Sequence, residues 1–91
     1  MSVQVRVPTV LRSYTGGAKE VAADGSTVAE VFDALDSAHP GIRERVVDEQ
    51  GQLRRFVNVY VGDEDVRFAG GLDAAVAEGA EVSVIPAVAG G

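Results

Sequence analysis

The 91-residue chain contains no cysteine, and it has only one histidine, one methionine and three prolines. Without cysteine there is no disulfide, no thiolate metal site and no cysteine nucleophile. The single histidine lies in His39-Pro40-Gly41, a tripeptide that stops a helix, so a capping or surface role suits it better than catalysis. Serines are few, and none sits in a nucleophile-elbow motif. Basic residues are outnumbered, eight against fourteen acidic, for a net charge of −6. That balance argues against nucleic acid, whose phosphates select basic surfaces. Arg54-Arg55 is too small a cluster to change this reading. No apolar run approaches the ~20 residues of a membrane span. The start, Met1 to Arg6, lacks the apolar core of a signal peptide, so the cytoplasm is the expected compartment. Gly16-Gly17 and Gly70-Gly71 read as turns rather than phosphate loops. Asp63-Glu64-Asp65 lacks the spacing of a calcium loop and reads as a solvated turn. No metal or cofactor site is expected within the chain.

What is present is an unusual end. The last six residues, Pro86-Ala87-Val88-Ala89-Gly90-Gly91, are apolar and uncharged. A Gly-Gly terminus arises by chance about once in 200 chains at ordinary glycine frequency. With no Cβ on its last two residues, such an end can enter a narrow channel in another protein. The competing reading is an ordinary frayed terminus.

Periodicity gives the rest. Val3, Val5 and Val7 alternate with polar residues, predicting a strand with one buried face, ended by Pro8. Thr15-Gly16-Gly17 turns the chain into a weaker strand, Lys19 to Ala23, to make an N-terminal hairpin. Thr27 and Glu30 have capping-box spacing. Val28, Val31, Phe32 and Leu35 then form the apolar stripe of a helix that ends at His39-Pro40-Gly41. Ile42 to Val47 predicts a short helical turn, and Asp48 to Gln52 a polar loop. Leu53 to Val61 is the strongest predicted strand, with Val66-Arg67-Phe68 as a short return. Leu72 to Ala77 predicts a brief helical turn. Ala80 to Ile85 is the final strand, and Pro86, lacking a ladder donor, is expected to release the chain from the sheet.

The order β-β-α-β-β-β requires one helix laid across a mixed sheet of four or five strands. Placing the first and last strands side by side in the centre suits their valines. This is an α+β, β-grasp (ubiquitin-like) arrangement. Residues 1–86 form the domain, and residues 87–91 are a flexible tail leaving a central strand.

The one reactive group such a chain offers is its terminal carboxyl. A carboxylate resists nucleophiles, because it is charged and has no good leaving group. Adenylyl transfer from ATP would make it a mixed anhydride, which a sulfur or nitrogen nucleophile could open. The enzyme supplying that site would be a separate protein, and this chain a handle and substrate.

The C-terminal block, in which Leu72, Gly79, Val82 and Pro86 precede Gly90-Gly91, resembles that of the ubiquitin-like sulfur carriers of the ThiS/MoaD family. The resemblance covers essentially the whole chain. Gly79-Ala80 and Pro86-Ala87 stand where many members have Gly-Asp and Pro-Pro, which turns the resemblance away from molybdopterin synthesis. Val7-Pro8-Thr9-Val10-Leu11-Arg12, Arg55 to Val61, Asp63 to Phe68, Gly70-Gly71-Leu72 and Ile85 to Gly91 are similar to the CysO subgroup of actinobacteria. The resemblance implies that Gly91 is the site of attachment, carried by Pro86, Ala87, Val88, Ala89 and Gly90. A ThiF/MoeB-type activating enzyme would adenylate Gly91 with ATP and magnesium, and a sulfur donor would convert the adenylate to a thiocarboxylate. The acceptor implied for the subgroup is a pyridoxal-phosphate cysteine synthase acting from O-phosphoserine, with a metalloprotease releasing cysteine. A thiosugar synthase is the other acceptor class.

Strand parity puts Phe56, Tyr60 and Ile85 on the outer face near the root of the tail, an expected contact patch for partners. Two other functions fit the same sequence. A protein modifier would join Gly91 to lysines of targets, and a β-grasp interaction module would not need Gly91 at all.

Overall fold

The computed structural model describes residues 2–55 and 57–86. Phe56 and the tail residues 87–91 therefore lie outside the described residues.

The strands are β1 (Ser2–Arg6), β2 (Glu20–Asp24), β3 (Val57–Val61), β4 (Glu64–Asp65) and β5 (Glu81–Pro86). Two helices, α1 (Val28–Ala38) and α2 (Ile42–Val46), fall between β2 and β3. The strands form one sheet in the order β2-β1-β5-β3-β4. The first and last strands are parallel neighbours, with Val5 beside Val82 and Arg6 beside Ser83. All other pairings are antiparallel. The expected central pair is thus present, and the sheet has five strands.

One face of this sheet is made by valines, as the alternation requires. Val3, Val5, Val57, Val59, Val82 and Val84 are buried against α1, whose stripe of Val28, Val31, Phe32 and Leu35 is also buried. Phe32, with no exposed surface, is among the largest fully buried side chains.

The helix start departs from a simple capping box. The Thr27 hydroxyl accepts from the Glu30 backbone N–H at 3.2 Å, as expected. The Glu30 carboxylate reaches one residue further back, accepting from the Ser26 N–H and the Ser26 hydroxyl, each at 2.9 Å. Gly25 sits so close under this turn that a Cβ there would lie 2.7 Å from the Val31 nitrogen. The segment before β5 completes the cap, because the Val28 N–H donates to the Ala74 carbonyl. At the other end, Asp36 accepts from the N–H groups of Gly41 and Arg43 and so starts α2.

One element is unannounced and three expectations are corrected. Residues Thr9–Thr15, which join β1 to β2, form a 3-10 helix that the periodicity does not announce. The strand predicted from Leu53 begins only at Val57. Leu53 bridges to Val47 instead, and the Arg54 N–H donates to Val46, which holds this stretch against the end of α2. The return strand is Glu64–Asp65, while Val66–Phe68 coils into a 3-10 turn capped by the Asp65 carboxylate. The helical turn predicted over Leu72 to Ala77 spans Gly71–Asp73, after which Ala75 bridges to Thr27.

Candidate functional site

The end of β5 is the place from which any tail must leave. This strand is central, bonded to β1 on one side and β3 on the other. Pro86 does not leave the sheet as expected: it stands opposite Val57 as the last residue of the β3–β5 ladder. Proline lacks a donor but keeps its carbonyl and an extended backbone, so the last position of a ladder tolerates it. Of the tail residues singled out in the sequence, Pro86 is placed at this root. Ala87, Val88, Ala89, Gly90 and Gly91 lie outside the described residues.

On the outer face, Ile85 pairs with Asn58, and Tyr60 pairs with Ser83 one step along. Ile85 is 48% exposed and Tyr60 is half-buried, so these two expected patch residues do share a face. The third, Phe56, lies outside the described residues. Two further apolar side chains escaped the sequence reading, Phe68 at 87% exposure and Val10 at 63%. Each belongs to a 3-10 segment, where strand parity gives no warning.

Arg67 braces this face. Its guanidinium donates to the Asn58 side-chain oxygen at 2.6 Å and to the Arg54 carbonyl at 2.7 Å. Its backbone N–H donates to the Asp65 carboxylate. The stretch entering β3 is thereby tied to the turn after β4.

Two clefts flank Pro86. One, of about 510 Å³, lies between the residues after β1 and the end of β5, and Arg12, Val10, Ile85 and Pro86 line it. The other, of about 370 Å³, is lined by Arg45 and Arg54 together with Val57, Val84 and Pro86. The Arg12 Nε donates to the Val7 carbonyl, the Arg54 Nε to the Glu44 carbonyl, and the Arg45 Nε to the Tyr14 hydroxyl. Arg45 also lies 5.9 Å from the Tyr14 ring centroid, within cation–π range.

Elsewhere the polar groups have structural work. His39 caps α1, its N–H donating to the Leu35 carbonyl. The Asp63-Glu64-Asp65 run turns the chain into β4. Arg43 Nε lies 3.0 Å from an Asp33 oxygen, off the N–H axis, so this contact is an ion pair without a good hydrogen bond. The Glu30 carboxyl is held below its usual range, chiefly by the Ser26 backbone N–H and then by the Ser26 hydroxyl. Among the described residues no group of three or more metal-ligating side chains converges, and no helix is long and apolar enough to cross a membrane.

Comparison with known proteins agrees with this architecture. The ThiS family matches residues 5–91. The sulfur carrier protein CysO of Mycobacterium tuberculosis is 53% identical over 93 aligned positions that span the whole of both chains. In the crystal structure of the Amycolatopsis orientalis BexX/CysO complex, the matched chain is 55% identical, with a TM-score of 0.93 over 98% of this chain and 99% of that one. The crystal structure of M. tuberculosis CysO gives a TM-score of 0.91 at 51% identity, over 94% and 99% of the two chains. These relatives are carriers rather than catalysts. On its β-grasp topology and these full-length matches, the chain belongs to the ThiS family of ubiquitin-like sulfur carriers.

Proposed function

We propose that the Gly91 carboxylate is the working group of this carrier. A ThiF/MoeB-type partner would let it attack the α-phosphorus of magnesium-bound ATP, releasing pyrophosphate and leaving an acyl adenylate. Sulfide would then add to the carbonyl carbon and expel AMP, leaving a thiocarboxylate. The chain contributes reach and an unbranched end, and the partner contributes catalysis. The thiocarboxylate sulfur is the nucleophile delivered to a second enzyme that builds cysteine or another sulfur-containing metabolite such as a thiosugar. A BexX-type protein is a further partner, by analogy with the Amycolatopsis orientalis BexX/CysO complex. Tyr60 and Ile85, with Phe56, serve as a docking face beside the root of the tail.

The observation that carries this reading is the match to CysO over the full length of both chains. Its test is intact-mass analysis after incubation with an activating enzyme, ATP, magnesium and sulfide. The expected product is heavier by the difference between sulfur and oxygen, and a chain lacking Gly91 is expected to gain nothing. Sulfur loading that survives the deletion overturns the proposal. High-mass conjugates in cells without a thiocarboxylate would replace it with the modifier reading.

A further inference from the structure

Arg12, Arg45, Arg54 and Arg67 are far apart in sequence, yet the fold gathers them round the end of β5. The first three line the two clefts beside Pro86, and the fourth bonds to the Arg54 carbonyl. Each guanidinium is held by a neutral acceptor: a carbonyl, an amide oxygen or the Tyr14 hydroxyl. The ion pairs among the described residues involve Arg6 and Arg43 instead. In a chain with fourteen carboxylates, four cations are thus fixed in place without a close ion pair among the described residues, although Arg54 also lines clefts with Glu44, Asp48 and Glu49, and Arg67 one with Asp73.

We propose that these arginines form an electropositive collar that docks on a carboxylate-bearing rim around the mouth of a partner enzyme's channel. This rests on the reading above that the tail is delivered to a partner. Five residues beyond Pro86 span at most about 17 Å. The chemistry at Gly91 would lie no further than that inside the partner, where the collar meets the entrance rather than the nucleotide. Hydrogen bonds to neutral acceptors fix the guanidinium groups without cancelling their charge, so little ordering remains to be done on binding. The net charge of −6 disfavours polyanions such as nucleic acid, while the local positive field turns the tail end toward an acidic entrance. The choice of residue fits as well. Seven of the eight basic residues are arginine, and Lys19 is the single lysine. Arginine brings charge without an amine nucleophile that could attack an activated terminus nearby.

The test measures association of the unloaded chain with BexX of Amycolatopsis orientalis across a range of ionic strength. Arg54→Glu changes net charge by two, as does the double variant Ser2→Glu/Ala77→Glu at exposed sites at the opposite end of the sheet. The expected result is an on-rate reduced about tenfold by Arg54→Glu at low salt, a difference that shrinks as salt rises. The opposite-end double variant is expected to change it less than about twofold. Arg12→Glu and Arg45→Glu should behave like Arg54→Glu, and Arg54→Lys should restore the rate. Arg54→Gln, which keeps a donor for the Glu44 carbonyl, checks that any loss follows charge and not folding. Equal effects at both ends, salt-independent association, or no association of the unaltered chain would overturn the proposal. A chain that docks through its arginines but never acquires sulfur would instead refute the reading of Gly91 and leave the collar standing.

Discussion

The two ends of β5 are built on opposite plans. Where the strand begins, the surface is acidic. Glu81 is exposed beside Gln4, Asp24 stands opposite Ser2, Glu64 opposite Val61, and Glu78 precedes the Gly79 N–H that bonds to Ser2. Where the strand finishes, Arg12, Arg45 and Arg54 line the clefts beside Pro86, Arg67 bonds to the Arg54 carbonyl and to Asn58, and the exposed side chains include Ile85 and Val10. The valine core beneath is shared by both ends. Four of the eight basic residues of a strongly acidic chain are thus gathered toward one pole. Stability is built along the whole strand, whereas the groups proposed for docking are gathered at its finish.

That contrast can be broken most severely from below. Phe32→Ala removes a fully buried ring from the shared core and is expected to cost about 3–5 kcal/mol. The loss would read as a lower urea midpoint, with docking and sulfur loading failing together because neither end survives alone. A smaller effect should separate the two roles. Tyr60→Thr removes the ring from the outer face and keeps a strand-favouring side chain opposite Asp65. Adenylation is expected to slow about tenfold while stability changes by less than about 0.5 kcal/mol. Unchanged adenylation would remove Tyr60 from the docking face.

The smallest effect belongs to the start of α1. Because Ser26 holds the ionised Glu30 carboxylate, its native pKa lies below the ordinary 4.5. The resulting stabilisation is complete above 4.5 and disappears as pH falls through the lowered native value. Glu30→Gln should flatten the acid limb of stability against pH, measured by thermal melts, and leave docking at the basic pole unchanged. An unchanged acid limb would show that the Ser26 contacts carry no linkage.

Local pattern made most of the architecture legible. The stripe Val28, Val31, Phe32 and Leu35, started by Thr27, is a helix in the structure, and the valine alternations are strands. What escaped was decided at a distance. Leu53 has a strand-like sequence but is held by Val47, and Val66 is buried in a 3-10 turn rather than a ladder. Pro86 stays paired because the ladder ends with it, which a rule about missing donors does not foresee. Gly-Gly drew attention to the terminus, whereas the arginines around its root stand at positions 12, 45, 54 and 67 and look unrelated until folded. Tyr60 and Ile85 were within reach of parity; Phe68 was not.

The double-sided bonding of β5 has a mechanical consequence. Tension applied to the outgoing end is shared by a parallel ladder on one flank and an antiparallel ladder on the other. Both are loaded lengthwise, in shear, rather than unzipped one bond at a time from an edge. An enzyme that draws the end inward would stop when the shoulders of the sheet meet its surface, with the globule intact behind it. How deeply a catalyst can bury its reacting atoms is thus set by the number of residues after the last paired one.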